Sequence, residues 1–297
     1  MDASENAFFT RQLEYIRQGA FEVQFPELKA RMMIPVNNSV SPGAEIFTYR
    51  FFEHFGGAKE ITDYADDLPR ADVKGEEASS RIRAIGSSYG YSVQEIRAAQ
   101  LAGMDLSGNK AMACRRSIEQ KLDEVAMIGG LNGLNGILSL TNTLTFTPTA
   151  TIASLIAADD RDGAVQMLHA MVHTVVNTTL EVEQPDSMIL PLSLYNLLSS
   201  TRMGDSSDGS MLSHFLNTNS YVNQIYKTHR SEAAGAGGTS RVVVYKRSPD
   251  KLEWIMPLEF TQHAPEVRGL ETVTLCEART GGIVVYFPKS ICYADGL

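Results

Sequence analysis

Two histidines offer the first chemistry in this chain. His169 and His173 stand in HAMVH, one helical turn apart, the spacing of a metal-binding pair. The residue after the first is Ala170, so the glutamate base of a zinc protease is missing, and no third ligand is evident. The plainer account is helix surface or satisfied core. Ser107 and Lys110 match S-x-x-K, as in serine acyl-transferases, but the partner motifs S-D-N and K-T-G are absent and a helix N-cap explains Ser107. Gly129, Gly130, Gly133 and Gly136 follow a helix instead of opening one after a strand, the wrong order for a phosphate loop. Asp63, Asp66, Asp67, Asp72, Glu76 and Glu77 crowd one stretch, yet they lack the ligand spacing and central glycine of an EF-hand. They read as a solvated or partner-facing cluster. No set of nucleophile, base and orienting group assembles from linear spacing, so no catalytic, cofactor or metal residue is assigned.

Composition narrows the classes further. The 297 residues suffice for one large or two modest domains, and no apolar run reaches the twenty or so residues of a membrane helix. MDASENAFFTRQLEY has neither the basic start nor the apolar centre of a signal peptide. A net charge of -9 argues against a surface that wraps nucleic acid tightly. Cys114, Cys276 and Cys292 are an odd number without motif spacing, which reads as reduced thiols in a cytosol-type compartment.

The elements that position these residues centre on Ser107 to Gly129. Ala111, Cys114, Ile118, Leu122, Val125 and Ile128 recur at three- and four-residue steps, predicting a helix roughly 30 Å long with one apolar stripe, Arg115 and Glu119 spaced to pair, and Gly129-Gly130 as its stop. The stripe is expected to lie on strands near Val273 and Val285. Residues 1–44 hold a short amphipathic helix around Phe8, Phe9, Leu13 and Ile16, then a segment so rich in Pro and Asn that it reads as an arm laid over other structure. Phe21, Val23, Phe25, Met32, Met33 and Ile34 on that arm need cover. EIFTYRFFE (45–53) and SSRIRAIGSSYGYS (79–92) read as two arms of a long hairpin with an acidic tip, the returning arm carrying Arg81 and Arg83. A ribbon of this length is marginal alone in water and leaves both edges unpaired, so it is expected to lie on a neighbouring subunit.

Ser92 and Glu95 form a capping box for a short helix over 91–103. From Thr149 the pattern predicts helices over TATIASLIAA and RDGAVQMLHAMVHTVVNTTLE, a buried strand SMILPL, two short helices, a flexible excursion over 229–240 and a strand RVVVYK. TVTLCEA and GIVVYF close the chain as strands joined across a hairpin turn at Arg279-Thr280-Gly281-Gly282, with Pro288 ending the second. Helices and strands mixed without a βαβ period argue for an α+β fold.

In this order, and with the ending VTLCEARTGGIVVYFPKS, the chain resembles the major capsid proteins of tailed bacteriophages. The resemblance covers nearly the whole chain and rests on architecture more than on any fixed residue. It implies the Johnson fold, with an N-arm at 1–44, an extended loop at 45–91, a peripheral domain at 92–150 and 258–297 around a spine helix at 107–129, and an axial domain at 151–257. It further implies subunits that form pentamers and hexamers of an icosahedral shell around double-stranded DNA, bound without sequence specificity. Portal, scaffolding and cement proteins are the implied partners, and the virion, assembled in the host cytoplasm, is the implied location. With the hairpin starting near residue 45, a separate scaffolding protein or none is expected, and no motif supports a covalent cross-link between subunits. An encapsulin-type compartment shares this fold and stands as the alternative. A metalloenzyme using His169 and His173 is a third reading, of a different class.

Overall fold

The computed structural model of the chain describes residues 26–60, 69–102, 106–204 and 209–297. The amphipathic helix read around Phe8 to Ile16, the residues Phe21, Val23 and Phe25, and the carboxylates Asp63, Asp66 and Asp67 lie outside them. The arm becomes a one-turn helix α1 (Ala30–Met33) and a short strand β1 (Val36–Asn37). A ribbon follows, β2 (Ile46–Phe55) with β3 (Asp72–Arg81), then β4 (Arg83–Ser92), α2 (Val93–Ala102) and the long α3 (Leu106–Met127). The second half runs β5 (Leu144–Phe146), α4 (Ile152–Ala157), α5 (Arg161–Thr178), β6 (Ser187–Pro191), α6 (Leu192–Ser200), α7 (Met211–Thr218), β7 (Gln224–Thr228) and β8 (Arg241–Tyr245). The chain closes with β9 (Leu252–Ile255), β10 (Leu258–Gln262), β11 (Glu266–Arg268), β12 (Glu271–Thr280), β13 (Gly282–Val285) and β14 (Cys292–Asp295).

Helix α3 is the predicted strut with small corrections. It is already under way at Leu106, so Ser107 is not its N-cap. Cys114, Ile118, Leu122 and Val125 are buried as expected, joined by Ala126 and Met127, while Ile128 falls past the last turn and is 45% exposed. Arg115 pairs with Glu119 at 2.9 Å. The stripe packs chiefly on β4 and on Cys276 and Ala278 of β12. Val285 packs at the edge of this cluster, whereas Val273, nearer the other end of β12, is not part of it. Gly129 and Gly130 then adopt φ of +83° and +97°, and a Cβ on Gly136 would stand 2.4 Å from the Gly129 nitrogen. Backbone passing backbone at that distance leaves no room for a side chain. Gly136→Ala should therefore cost about 3 kcal/mol, read as a fall in Tm of about 2–4 °C per kcal/mol for a chain of this size.

Strand β12 is the spine of an antiparallel sheet. It pairs with β4 over all ten residues on one edge and with β10 and β11 on the other. The sequence reading of 79–92 as a single hairpin arm is thus corrected. The ribbon closes with β3, ending at Arg81, and β4 belongs to a different sheet. The switch falls at Ile82, which is 6% exposed and donates its N–H to the Glu45 carbonyl at 2.8 Å. No glycine or proline marks it, and β3 itself, DVKGEEASSR, lacks the apolar alternation by which a strand is recognised.

The expected turn between β12 and β13 is also redirected. These strands do not pair; β13 joins β9, which in turn pairs with β1 of the arm. Thr280 holds the crossing: its buried hydroxyl donates to the Ile255 carbonyl at 3.1 Å and accepts from Trp254 Nε1 at 3.0 Å and from the Gly282 N–H at 3.2 Å. Gly282 supplies φ of +70°. The glycine signal marked a real bend, but the bend passes the chain to a second sheet.

A third sheet, ordered β5-β14-β8-β6-β7, is the wall between two cores. Met188, Leu190, Val242, Val244, Cys292 and Ala294 face a cluster with α4 to α7, whereas Ile189, Val243, Tyr245 and Tyr293 face the cluster under α3. A strand covered on both faces has no polar side, and β6 is accordingly buried at every position. Val165, Leu168, Val172, Val175 and Val176 are the apolar side of α5, as their spacing predicts. The excursion over 229–240 is two 3₁₀ turns, the second tied to the last strand through the Ala236 N–H and Asp295 at 2.9 Å.

Candidate assembly surfaces

Alternation in β2 places Phe47, Tyr49 and Phe51 on one face of the ribbon. The base of the ribbon is pinned. Tyr49 meets Tyr286 edge-on at 5.0 Å and donates to the Val285 carbonyl at 3.3 Å, while Ser80 donates to the Gly281 carbonyl at 2.8 Å. Beyond that base every described residue from Phe52 to Glu60 and from Pro69 to Glu77 is exposed. Phe52, Phe55 and Val73 are 63%, 54% and 51% exposed. With half or more of its surface in water, each such side chain forgoes about half of the roughly 1.5–3 kcal/mol that full burial contributes.

The predicted site residues separate by position. Glu77 pairs with Arg50 on the facing strand at 2.6 Å, and Glu76 pairs with Lys74. Asp72 opens β3 and accepts from the Val73 N–H at 2.8 Å. Arg81 ends β3, exposed, and lines a cleft of about 460 Å³ with Asn132, Asn135, Thr141 and Asn142. Arg83 is on β4 opposite Thr280, half-buried, and its buried Nε has no hydrogen-bond partner among the described residues. The two arginines, read together as one arm, therefore sit in different sheets.

Sequence reasoning missed the residue that docks the arm. Asp123 stands between the charged residues Lys121 and Glu124 of α3, yet it is 6% exposed. Its Oδ1 accepts the N–H groups of Lys29 and Ala30, each at 3.0 Å, and its Oδ2 accepts from Arg230 Nε at 3.1 Å. One carboxylate thus caps the first turn of α1 and neutralises an arginine from the 229–240 excursion. Met33 and Ile34 are buried beneath this clamp and Met32 is 55% exposed. Its place between Leu122 and Val125, at the border of the apolar stripe, was the available signal.

The candidate chemistry resolves into structure. Lys110 donates to the Gly90 carbonyl at 2.8 Å and reaches Glu95 at 3.2 Å, tying α3 to the start of α2. Ser92 and Glu95 form the reciprocal capping box, both bonds at 3.1 Å, and the Ser92 N–H donated to the Glu95 carboxylate holds that carboxyl below its ordinary range, with Lys110 adding to the effect. Cys114 and Cys276 are buried neighbours; burial, and then the hydrogen bond to Cys114, pushes the Cys276 thiol up to about 11. His169 and His173 lie with ring centres 6.1 Å apart, and among the described residues no group of three side chains is placed to hold a metal. No helix of the described residues is long and apolar enough to cross a membrane.

A projecting ribbon without a core and an arm clamped onto the body define a class: the structural subunit of an assembling shell. A family description of major capsid proteins matches residues 56–297. Among solved structures the chain is similar to the capsid of Myoviridae phage XM1, at 20% identity, covering 98% of this chain and 99% of that one, with a TM-score of 0.84. It is also similar to the capsid of a native GTA particle (10% identity, 99% and 97% covered, TM-score 0.65) and to a virus-like particle from Pyrococcus furiosus (14%, 89% and 91%, TM-score 0.58). Comparison with curated proteins gives no match. The chain belongs to the major capsid protein family. It is a structural protein of a capsid, self-assembling and not an enzyme, and the encapsulin alternative is not favoured.

Proposed function

We propose that this chain builds the pentamers and hexamers of an icosahedral shell that encloses double-stranded DNA, with the ribbon of each subunit lying on its neighbour. The observation that carries this reading is the ribbon itself, exposed on both faces from Phe52 to Glu60 and from Pro69 to Glu77. Asp63, Asp66 and Asp67, which lie between β2 and β3 in the sequence, and Asp72 meet basic residues of the adjacent subunit, for which Arg81 and Arg83 are candidates. Glu76 and Glu77 contribute less, because Lys74 and Arg50 already neutralise them. In this reading residues 1–44 are the N-arm, 45–91 the extended loop, of which 46–81 is the ribbon, 92–150 and 258–297 the peripheral domain, and 151–257 the axial domain, with β14 inserted into the axial sheet. The net charge of -9 suits a shell wall that contains DNA without gripping it. Portal, scaffolding and cement proteins are its partners, and assembly takes place in the host cytoplasm.

Negative-stain microscopy of the expressed protein should show closed shells or capsomers; a uniform monomer under all assembly conditions overturns the reading. Reversing Asp66 and Asp67 to Lys should abolish particles while leaving circular dichroism and Tm unchanged, the result expected if these charges act between subunits and not within one. Normal particles from that variant would remove the acidic end of the ribbon from the contact.

A further inference from the structure

Asn219, the C-cap residue of α7, has an amide whose orientation is settled by its neighbours. Its Oδ1 accepts the N–H groups of Tyr221 at 2.8 Å and Val222 at 2.9 Å, so its Nδ2, a donor only, is the atom that faces His169 Nδ1 at 3.2 Å. On the other side of the ring, His169 Nε2 lies 3.1 Å from Thr218 Oγ1. That hydroxyl spends its proton on the His214 carbonyl at 2.8 Å, so it meets the ring as an acceptor. Both ring nitrogens are thereby assigned: Nε2 carries the proton and Nδ1 accepts. His169 fits this seam in its neutral form alone.

We propose that His169 is a pH-sensitive latch between α5 and α7, closed when the imidazole is neutral and opened by its protonation. An imidazolium has donors at both nitrogens, which sets an N–H of the ring against an N–H of Asn219. Turning the amide over does not help, since its NH₂ would then face the Tyr221 and Val222 N–H groups. The conflict falls on the cap of α7 and on Val222, which is 2% exposed, beside Phe215, whose ring centre lies 5.0 Å from that of His169.

The surroundings work in the same direction. His173 on α5 and His214 on α7 are the titratable neighbours, and Tyr221 packs edge-on to His173 at 6.2 Å. Helix α4 and strand β5 bring no titratable side chain to α5, and on β14 Asp295 is taken up by Arg241 at 2.7 Å, Tyr293 donates to the Ile137 carbonyl and Cys292 is buried and neutral. Among the described residues of these elements, therefore, no carboxylate free of its own partner offsets a proton on His169. Burial first, and then His173 and His214, hold the His169 pKa below its ordinary value. The unfolded chain consequently binds the proton more readily than the folded one. Stability from this site is complete above about pH 6.5 and is lost as pH falls below that value toward the folded one.

The full-length chain, free or assembled, tests this. Nitrogen-15 histidine spectra at pH 8 should show the Nε2–H tautomer for His169, and the Nδ1–H tautomer overturns the proposal without any mutation. Hydrogen exchange at Tyr221 and Val222 should lose protection by about tenfold between pH 7 and pH 5, after correction for intrinsic rates, the loss expected for breaking one such hydrogen bond. In His169→Gln, which has no proton to take up, that loss should vanish, while His214→Gln should retain it. An equal loss in His169→Gln and in the unmodified chain overturns the latch.

Discussion

Replacing Leu122 by Asp should yield no folded protein. Leu122 is 1% exposed on α3, within a cluster that holds Ile118, Trp254, Met256, Ala278 and Ile283. Removing the leucine side chain forfeits about 2–5 kcal/mol, and burying an unpaired carboxylate in its place costs several more. Together these match the 5–15 kcal/mol by which an ordinary domain is stable. The partner Asp123 shows what a carboxylate needs at this depth: three hydrogen-bond donors, one of them an arginine. Position 122 has apolar neighbours instead. The chain has one tryptophan, Trp254, in this same cluster, so its emission reports directly on the core. Insoluble protein, or soluble protein with the red-shifted emission of a wetted indole, is the expected result. A soluble variant with native emission and normal assembly would show that this face of α3 is not the core face.

The second large effect is expected at Asp123. Asp123→Ala leaves the N–H groups of Lys29 and Ala30 without an acceptor and leaves Arg230, whose side chain is 20% exposed, without its counter-ion. Breaking a mostly buried charge pair while orphaning its partners costs about 3–5 kcal/mol. Without Asp123 the first turn of α1 keeps Lys29 Nζ on the Lys227 carbonyl at 3.2 Å and, at the surface, Arg31 on Glu259 at 3.0 Å. From Met32 onward the arm stays held by Arg247 and Tyr245, which donate to the Met32 and Met33 carbonyls at 3.0 and 2.7 Å, by buried Met33 and Ile34 and by the β1–β9 pairing. Local release is therefore expected ahead of global unfolding. Trypsin should cut Asp123→Ala at Lys29 and Arg31 much faster than the unmodified chain, with a matching fall in the urea midpoint. Asp123→Asn separates the two roles, because its Oδ1 still accepts from Lys29 and Ala30 while the charge facing Arg230 is gone. It should show an intermediate loss of stability and little added cleavage. Equal cleavage in all three proteins would mean that the arm is held elsewhere.

The elements most legible in the sequence were those whose fate is decided over a few residues. The apolar steps of α3 and α5, the Ser92–Glu95 capping box, the run SMILP and the glycines after α3 each carry their own reason to be where they are, in helical period, cap chemistry or positive φ. Together with the order of parts they determined that this is an α+β chain of shell-forming type. What only the tertiary structure decided is which strand lies beside which. Residues 79–92 look continuous because Ile82 is an ordinary strand residue, and the division there follows from long-range pairing, of β3 with β2 and of β4 with β12, that leaves no local mark. The glycines at 281–282 announced a bend without its destination, which Thr280 and Trp254 set from twenty-six residues apart. Asp123 and His169 belong to the same kind. Each is a polar group whose meaning comes from donors and acceptors brought to it from elsewhere in the chain, and hydrogen bonding is too short-ranged and too directional to be read from linear spacing.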